Sequence, residues 1–259
     1  MKFLWLAAAL AAASSAVADE TSDSVKTALA RSRGAVHTLK SVVALEFQGR
    51  SMDAKVETTA LVLDASGLLV APNPEDLMQG LPPGCGVSTK SFLLVTSEGK
   101  ELEARTVGRD AEFGLLFLRL TEKDAPALPA LPAAQAAPLE LGDPLLLVGQ
   151  LSSRHQEPIC VTTRVSSVIQ KPRRMYLTSE GLGLGIVALA PNGDPVGLTA
   201  RVKEKDPDSE KENAILVVLP MAQVTEAAKA VHEEKPAEKP EAQPDEKPSE
   251  KPGKGEPGK

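Results

Sequence analysis

Few side chains of this chain have the type and spacing that hydrolytic chemistry needs. Ser179 would act as a nucleophile if a histidine lay within about 3 Å of it. Of the three histidines, His155 lies nearest along the chain, in a predicted loop. His155 also precedes Cys160, but a thiol and an imidazole cooperate only if both face one cleft. We interpret these residues as structural or exposed rather than as a catalytic pair.

The histidines and cysteines also predict no metal and no cofactor. The chain has two cysteines and no Cys-x-x-Cys motif, and its histidines show no zinc-ligand spacing. Cys85 and Cys160 are the candidates for a disulfide, which an oxidising compartment permits when the α carbons lie within about 7 Å. Spacing alone leaves that pairing open.

The N-terminus predicts export. After Met1 and Lys2 comes an apolar run that is too short for a stable membrane span, followed by small residues that end at Ala18. We therefore expect residues 1–18 to be a signal peptide cleaved after Ala18, with no stable membrane span in the remaining chain. A retained anchor is the alternative. Signal cleavage predicts a secreted or periplasmic protein, and the envelope compartment stays open.

Composition argues against nucleic-acid binding. The net charge is -6 and aromatic residues make up 3% of the chain, so the stacking aromatics interleaved with basic residues that single-strand binders use are absent. Residues 233–259 are almost wholly Glu, Lys, Pro, Ala and Gly. Such a segment cannot bury a core, and we predict a disordered, partly polyproline-II tail. Its role, as a tether, a partner-binding arm or a solubilising tail, stays open.

Hydrophobic periodicity predicts one short helix at residues 24–33 and then many short strands. A proline-rich connector, residues 124–138, divides the strands into two sets of six. Two matched sets favour twin closed barrels, which leave no exposed sheet edge, although periodicity alone does not exclude two sandwiches. The predicted strands are residues 42–47, 59–63, 68–70, 91–95, 102–107 and 115–120, then 144–149, 159–169, 175–177, 186–189, 196–201 and 215–219.

Five segments in order resemble trypsin-like serine proteases of the HtrA/Deg type. They are the hairpin at 61–71, the strand at 114–120, the second-barrel opening at 139–149, the hairpin at 192–198, and the last strand and helix at 214–230. The resemblance implies an all-β fold of two six-stranded antiparallel barrels with a short N-terminal helix and a C-terminal helix. It also implies a domain order: an N-terminal helical segment at 19–41, a first barrel at 42–123, the linker, and a second barrel with its helix at 139–232.

The same resemblance places the family's catalytic triad on residues that cannot perform its chemistry. That chemistry needs a serine hydroxyl, a histidine base and an orienting aspartate. The histidine position is Pro74, the aspartate position is Gly114, and the serine position is Gly183 or Leu184. All three triad positions are thus degenerate. Apolar side chains of Leu182, Leu184 and Ile186 are expected to line the vacated cleft.

These residues predict a pseudoprotease, a secreted or periplasmic protein that binds rather than cleaves. The resemblance implies extended peptides or envelope proteins as partners, and the family's usual PDZ domain has no counterpart here. Two alternatives remain: an active endopeptidase with an unrecognised nucleophile, or a structural envelope β-domain. The ligand and the oligomeric state are not predicted.

Overall fold

A computed structural model describes residues 22–78, 81–82, 84–121, 127–131, 137–181, 183–205 and 212–233. In this part of the chain, helix α1 (residues 22–32) precedes twelve strands, and helix α2 (Met221–Glu233) follows them. The strands are β1 Val36–Phe47, β2 Arg50–Val62, β3 Leu68–Pro72, β4 Gly86–Val95, β5 Glu101–Asp110, β6 Leu115–Leu120, β7 Pro144–Gln150, β8 Pro158–Ile169, β9 Met175–Thr178, β10 Val187–Leu189, β11 Pro195–Lys205 and β12 Glu212–Pro220.

The twelve strands form two closed six-stranded antiparallel barrels. The first barrel has the order β1-β2-β3-β6-β5-β4, and the second has the order β10-β11-β12-β9-β8-β7. Each strand predicted from the sequence overlaps one of these strands, and the predicted fold class is confirmed. Some strands, such as β5, alternate between exposed and buried residues, whereas others, such as β3 and β7, are continuously buried apolar runs, and both patterns predict strands.

Several strands, including β1, β2 and β4, begin earlier than the sequence analysis predicted, and the early start of β1 moves a predicted boundary. β1 starts at Val36, inside the segment 19–41 that we assigned to the N-terminal helical region. The reason is pairing: β2 is thirteen residues long, and it matches β1 from Val36 opposite Leu61 to Phe47 opposite Arg50. His37 therefore belongs to the first barrel, where it is 2% exposed, and does not precede it.

The two helices tie the barrels together. Arg31 of α1 donates to the backbone carbonyl of Asn192 at 2.9 Å and forms an ion pair with Asp194 at 2.8 Å in the second barrel. Helix α2 buries Val224 and Ala228 and packs against both β11 and β5. No helix in the described part of the chain is long and apolar enough to cross a membrane.

Helix α2 runs through Glu233, where we predicted the disordered tail to begin. The rest of that predicted tail and the predicted signal peptide lie outside the described residues. The predicted linker is described only at residues 127–131 and 137–138. There Leu131 is buried, and its backbone N–H donates to the carbonyl of Val62 at 3.4 Å.

The candidate disulfide is not formed. Cys85 and Cys160 are both free thiols. Cys85 immediately precedes β4 of the first barrel, whereas Cys160 lies in β8 of the second. Burial raises the pKa of the Cys160 thiol, so this side chain remains protonated at neutral pH and is a weak nucleophile.

Candidate functional site

Three loops from the two barrels meet at one small cavity. The residue after β3, Asn73, lines it together with Gly114 from the turn before β6 and Leu184 from the loop before β10. These are the segments in which the sequence analysis placed the vacant triad. The cavity has a volume of only ≈ 10 Å³, which leaves room for about one water molecule. A substrate side chain cannot enter it in this conformation.

Pro74 begins a 3₁₀ helix, Pro74–Leu77, and its side chain is buried. The preceding Asn73 caps this helix, since its Oδ1 atom accepts from the backbone N–H of Glu75 at 3.3 Å. The backbone N–H of Asn73 donates to the carbonyl of Gly114 at 2.7 Å. Proline suits the first helical position because it lacks the N–H that would be unsatisfied there. Position 74 therefore has a structural explanation and offers no acid or base.

Gly114 is held in the left-handed region at φ +60°. A Cβ atom there would lie 3.0 Å from Oδ2 of Asp76. Asn73 Nδ2 also donates to that oxygen, at 3.2 Å, and Arg201 Nη1 donates to the Asp76 carbonyl at 3.3 Å. The Asp76 carboxylate thus lies against the point where a side chain at position 114 would begin. Sequence reasoning missed this residue, because its closeness to Gly114 depends on the 3₁₀ helix and on a hydrogen bond between the two loops.

The loop at the vacant serine position is fixed by Thr199. The Thr199 hydroxyl donates to the Gly183 carbonyl at 2.7 Å and accepts from the Ile186 N–H at 2.8 Å. Thr199 also accepts at its carbonyl from the Gly185 N–H at 3.0 Å. Because these bonds hold the loop from both ends, its conformation is well defined. Neither Gly183 nor Leu184 supplies a hydroxyl.

The predicted apolar lining is described for two of its three residues. Leu184 lines the small cavity and also a larger groove beside it, and Ile186 lines the groove while being 6% exposed. Leu182 lies outside the described residues. Of the two residues assigned to the serine position, Leu184 lines the small cavity together with Asn73 and Gly114, and Gly183 does not.

The glutamates near the cavity are engaged in ion pairs. Glu75 accepts from Arg109 at 2.9 and 3.3 Å and from the Thr89 backbone and hydroxyl at 3.0 Å. Burial alone would raise the pKa of Glu75, but these hydrogen bonds together lower it. Glu112 is exposed and lies 3.1 Å from Arg173. Glu75 is therefore an ionised structural group, and Glu112 is an exposed turn residue.

Ser179, the hydroxyl nearest in sequence to the vacant serine position, has a partner other than a histidine. Its Oγ lies 3.1 Å from the Thr163 hydroxyl. His155 lies in a different cavity beside α1, and His37 contacts the carbonyl of Gly34 through Nε2 at 2.9 Å. Desolvation by burial lowers the pKa of His37. The described hydrogen bonds join no histidine ring to a serine or cysteine side chain, so they form no nucleophile–base pair.

A groove of ≈ 380 Å³ runs between the barrels past Leu184. Its walls include Glu57, Thr59, Gln150, Ser152 and Arg201. The barrels touch here, since Ser153 N–H donates to Glu57 at 3.0 Å and the Gln150 side chain donates to the Val36 carbonyl at 3.0 Å. Unlike the small cavity, this groove has the volume of a ligand site.

Strand β11 leaves one edge open beside this groove. Its residues 201–205 pair with β12, from Arg201 opposite Leu216 to Lys205 opposite Glu212. On the other side, its pairing with β10 stops at Leu198. Along residues 201–205, that second edge has no strand partner within the described structure. Unpaired backbone groups of this kind are available to an added strand.

The part of the chain that the structure describes contains no group of three or more histidine, cysteine, aspartate or glutamate side chains arranged to hold a metal ion.

Comparison with known proteins identifies the fold. No family model and no curated protein matches the chain. Among solved structures, it resembles a serine-to-alanine variant of the HtrA-type protease AlgW with a tripeptide, at a TM-score of 0.56 and 17% sequence identity. The match covers 80% of this chain and 63% of that structure's chain. At this identity, the likeness shows a trypsin-like double-barrel fold.

Proposed function

We propose that this protein is a non-catalytic, extracytoplasmic binding protein on a trypsin-like double barrel, and that it holds an extended segment of a partner protein along β11. One observation carries the proposal: the open edge of residues 201–205 runs beside a cleft whose described side chains form no nucleophile–base pair. The extracytoplasmic location rests on the predicted signal peptide. Envelope proteins with extended segments are the proposed partners.

The lack of catalysis follows from the three loops. Acyl transfer needs a nucleophile, a base within hydrogen-bond reach and donors for the oxyanion. Pro74 and Gly114 supply no titratable side chain, and the loop that should carry the serine offers Gly183 and Leu184. The carboxylate of the nearby Asp76 accepts a hydrogen bond from the Asn73 side chain, and so it orients an amide where a triad aspartate would orient an imidazole.

Binding would combine backbone pairing with side-chain contacts. An extended peptide would add to the edge of β11, where main-chain hydrogen bonds supply affinity without requiring one sequence. Alternate side chains of that peptide would then reach the groove, where Leu184 and Ile186 provide apolar contact and Arg201 provides a cation. This mode favours segments that are already extended and unpaired.

Catalysis is tested with the purified protein, unfolded casein and a fluorophosphonate probe. We expect no cleavage and no labelling from protein that shows a β-rich circular dichroism spectrum and a cooperative melt. The Ser179→Ala variant and heated protein are the controls. Heat-sensitive turnover would contradict the proposal, and its loss in Ser179→Ala would identify that serine as the nucleophile.

Binding is tested by fluorescence anisotropy with labelled, reduced and carboxymethylated casein. Leu184→Asp places a charge in the groove and should weaken binding at least about tenfold, because the carboxylate is desolvated when a peptide covers it. Leu141→Asp is the matched control, since Leu141 is 71% exposed and does not line the groove. Equal weakening by both variants, or no binding by the parent protein, would favour a purely structural domain.

A further inference from the structure

A second cavity, of ≈ 380 Å³, lies on the second barrel where the end of the linker, the start of β9 and the start of α2 come together. None of its lining residues also lines the small cavity or the groove described above. It is therefore a separate feature of the molecule. The residues that matter to its chemistry are Leu139, Arg174, Tyr176, Val196, Met221 and Gln223.

Arg174 gives this cavity an uncompensated positive charge. Its Nη2 donates to the Leu139 carbonyl at 3.0 Å, while its Nε atom is buried without a hydrogen-bond partner. No described acidic side chain forms an ion pair with Arg174, in contrast to Arg173, which pairs with Glu112. Arginine stays charged under all ordinary conditions, and a buried donor without a partner is costly. The site therefore favours an anion.

The guanidinium of Arg174 is held in place before any ligand arrives. Its Cζ lies 5.8 Å from the centre of the Tyr176 ring, in cation–π range. Gln223 Nε2 donates to the Arg174 carbonyl at 2.8 Å, and the Tyr176 hydroxyl accepts from the Leu139 N–H at 3.2 Å. A fixed arginine loses little conformational entropy on binding, which increases the affinity for a matching anion.

The remainder of the wall is apolar. Leu139, Val196 and Met221 are each at most 8% exposed. The side of the cavity formed by α2 carries no acidic residue in the first turn of the helix, so no helix carboxylate neutralises Arg174 from there. Gln223 Oε1 is a second buried atom without a hydrogen-bond partner. As an amide oxygen, it is able to accept a hydrogen bond from a ligand. The cavity thus combines the cation of Arg174, the free acceptor of Gln223 and an apolar wall.

We infer that this cavity binds a small carboxylate with a compact apolar body, its carboxylate on Arg174 and its apolar part against Leu139, Val196 and Met221. A carboxylate satisfies the planar guanidinium through charge-assisted hydrogen bonds, which a neutral amide cannot match. An N–H group beside the carboxylate would reach the free acceptor of Gln223. This chemistry is presented by the last residue of a polypeptide and also by a free aliphatic acid.

Tyr176 provides a direct readout of binding at this site. The chain contains one tryptophan, Trp5, and one tyrosine, Tyr176. In the full-length Trp5→Phe variant, near-ultraviolet emission excited at tyrosine absorption comes from Tyr176. The ligands are N-acetyl-leucine, its uncharged analogue N-acetyl-leucinamide, and hexanoate. Calorimetry measures the affinity of each ligand, and a change in Tyr176 emission shows that the ligand binds at this cavity.

We expect N-acetyl-leucine to bind with a saturable change in Tyr176 emission, and at least about tenfold more tightly than the amide. Arg174→Gln should abolish that preference, whereas Arg173→Gln on the neighbouring residue should retain it. Hexanoate as tight as N-acetyl-leucine would indicate a free acid as the source, and weaker hexanoate binding would indicate a polypeptide end. Equal affinity for acid and amide, a preference that survives Arg174→Gln, or no saturable change would overturn the inference.

The comparison of acid with amide uses a protein in which the cavity is unaltered, so it remains informative if Arg174→Gln does not fold. Arg174→Lys is the second variant. It keeps the charge but loses the planar pair of donors, and we expect it to bind N-acetyl-leucine more weakly than the parent protein while still preferring it to the amide. None of these outcomes depends on binding along β11.

Discussion

The Oδ2 atom of Asp76 lies 3.0 Å from the point that a Cβ atom at Gly114 would occupy. A carboxylate from one loop thus takes the space that a side chain on the neighbouring turn would need. Asn73 stabilises the arrangement, since it donates to Asp76 through its side chain and to the Gly114 carbonyl through its backbone. In the first-barrel part of the cleft, hydrogen bonds from Asn73 hold Asp76 and Gly114 in an arrangement that leaves little room for a side chain at position 114.

Gly114→Ala should destabilise the protein by about 2 kcal/mol. The φ of +60° costs an alanine about 1–2 kcal/mol, and contact with the Asp76 carboxylate adds to it. The Asp76→Ser single variant and the double variant complete a thermodynamic cycle measured by urea unfolding. We expect the Gly114→Ala cost to be smaller in the Asp76→Ser background by about 0.5–1 kcal/mol. An identical cost in both backgrounds would show that backbone strain alone is responsible.

Gly185→Ala should destabilise the protein more than Gly183→Ala. Both glycines have positive φ, +73° and +124°. A Cβ at Gly185 would lie 2.5 Å from Cδ of Pro72 and 2.8 Å from the Thr59 carbonyl, whereas a Cβ at Gly183 has nothing within 4 Å. We expect about 1–2 kcal/mol at Gly183 and more than about 3 kcal/mol at Gly185. Thermal and urea unfolding measure both, and a reversed order would show that the barrels do not meet closely here.

Thr199→Val should destabilise the loop at the vacant serine position. The substitution keeps the shape of a residue that is 2% exposed but removes the hydroxyl shared by the Gly183 carbonyl and the Ile186 N–H. Because both backbone groups lose a partner, we expect a cost of about 1–3 kcal/mol. Hydrogen exchange should also speed up at the Ile186 amide. Thr199→Ser retains the hydroxyl and is the control, and a valine variant as stable as the serine variant would contradict this role.

Stability should fall in acid partly because of Glu75. Its pKa is lower in the folded protein than in the unfolded chain, so its stabilising contribution is fully present above the unfolded value of about 4.3 and is lost as pH falls through the lower native pKa. Glu75→Gln should remove this part of the pH dependence and cost about 1 kcal/mol at neutral pH. Urea unfolding of both proteins from pH 7 to pH 3 measures the difference.

The control for that measurement is Glu112→Gln. Glu112 also pairs with an arginine, but both side chains are about half exposed. Surface ion pairs contribute little, so this variant should leave the curve of stability against pH close to that of the parent protein. If Glu112→Gln flattens the curve as much as Glu75→Gln, the acid sensitivity has another origin.

Local pattern accounts for most of the correctly predicted fold. Alternation of polar and apolar residues identifies a strand such as β5, whose exposure alternates from Glu101 to Arg105, whereas β7 is identified as a short apolar run that follows a turn. Alternation does not fix where pairing stops. β1 starts at Val36 because β2 extends far enough to pair with it, and the length of a partner strand is not encoded in the residues of β1.

The candidate site was only partly predictable. The family resemblance assigned Pro74, Gly114, Gly183 and Leu184, and the loops that carry them meet at the small cavity in the structure. Asp76 was missed, because its proximity to Gly114 arises from a 3₁₀ helix and an interloop hydrogen bond. The groove and the Arg174 cavity could not be predicted from the sequence, because their walls come from segments far apart in the chain.

The sequence by itself determined the two sets of six strands and the segment that divides them, because both depend on local patterns of apolar and turn-forming residues. A family resemblance, and not periodicity, assigned Pro74, Gly114 and Gly183 or Leu184 to the positions of a catalytic triad. Only the tertiary structure decided that Asp76 lies against Gly114 and that, among the described residues, one edge of β11 has no strand partner and Arg174 has no acidic partner. Each of these features depends on which segments, distant in sequence, come together when the barrels close and pack against each other.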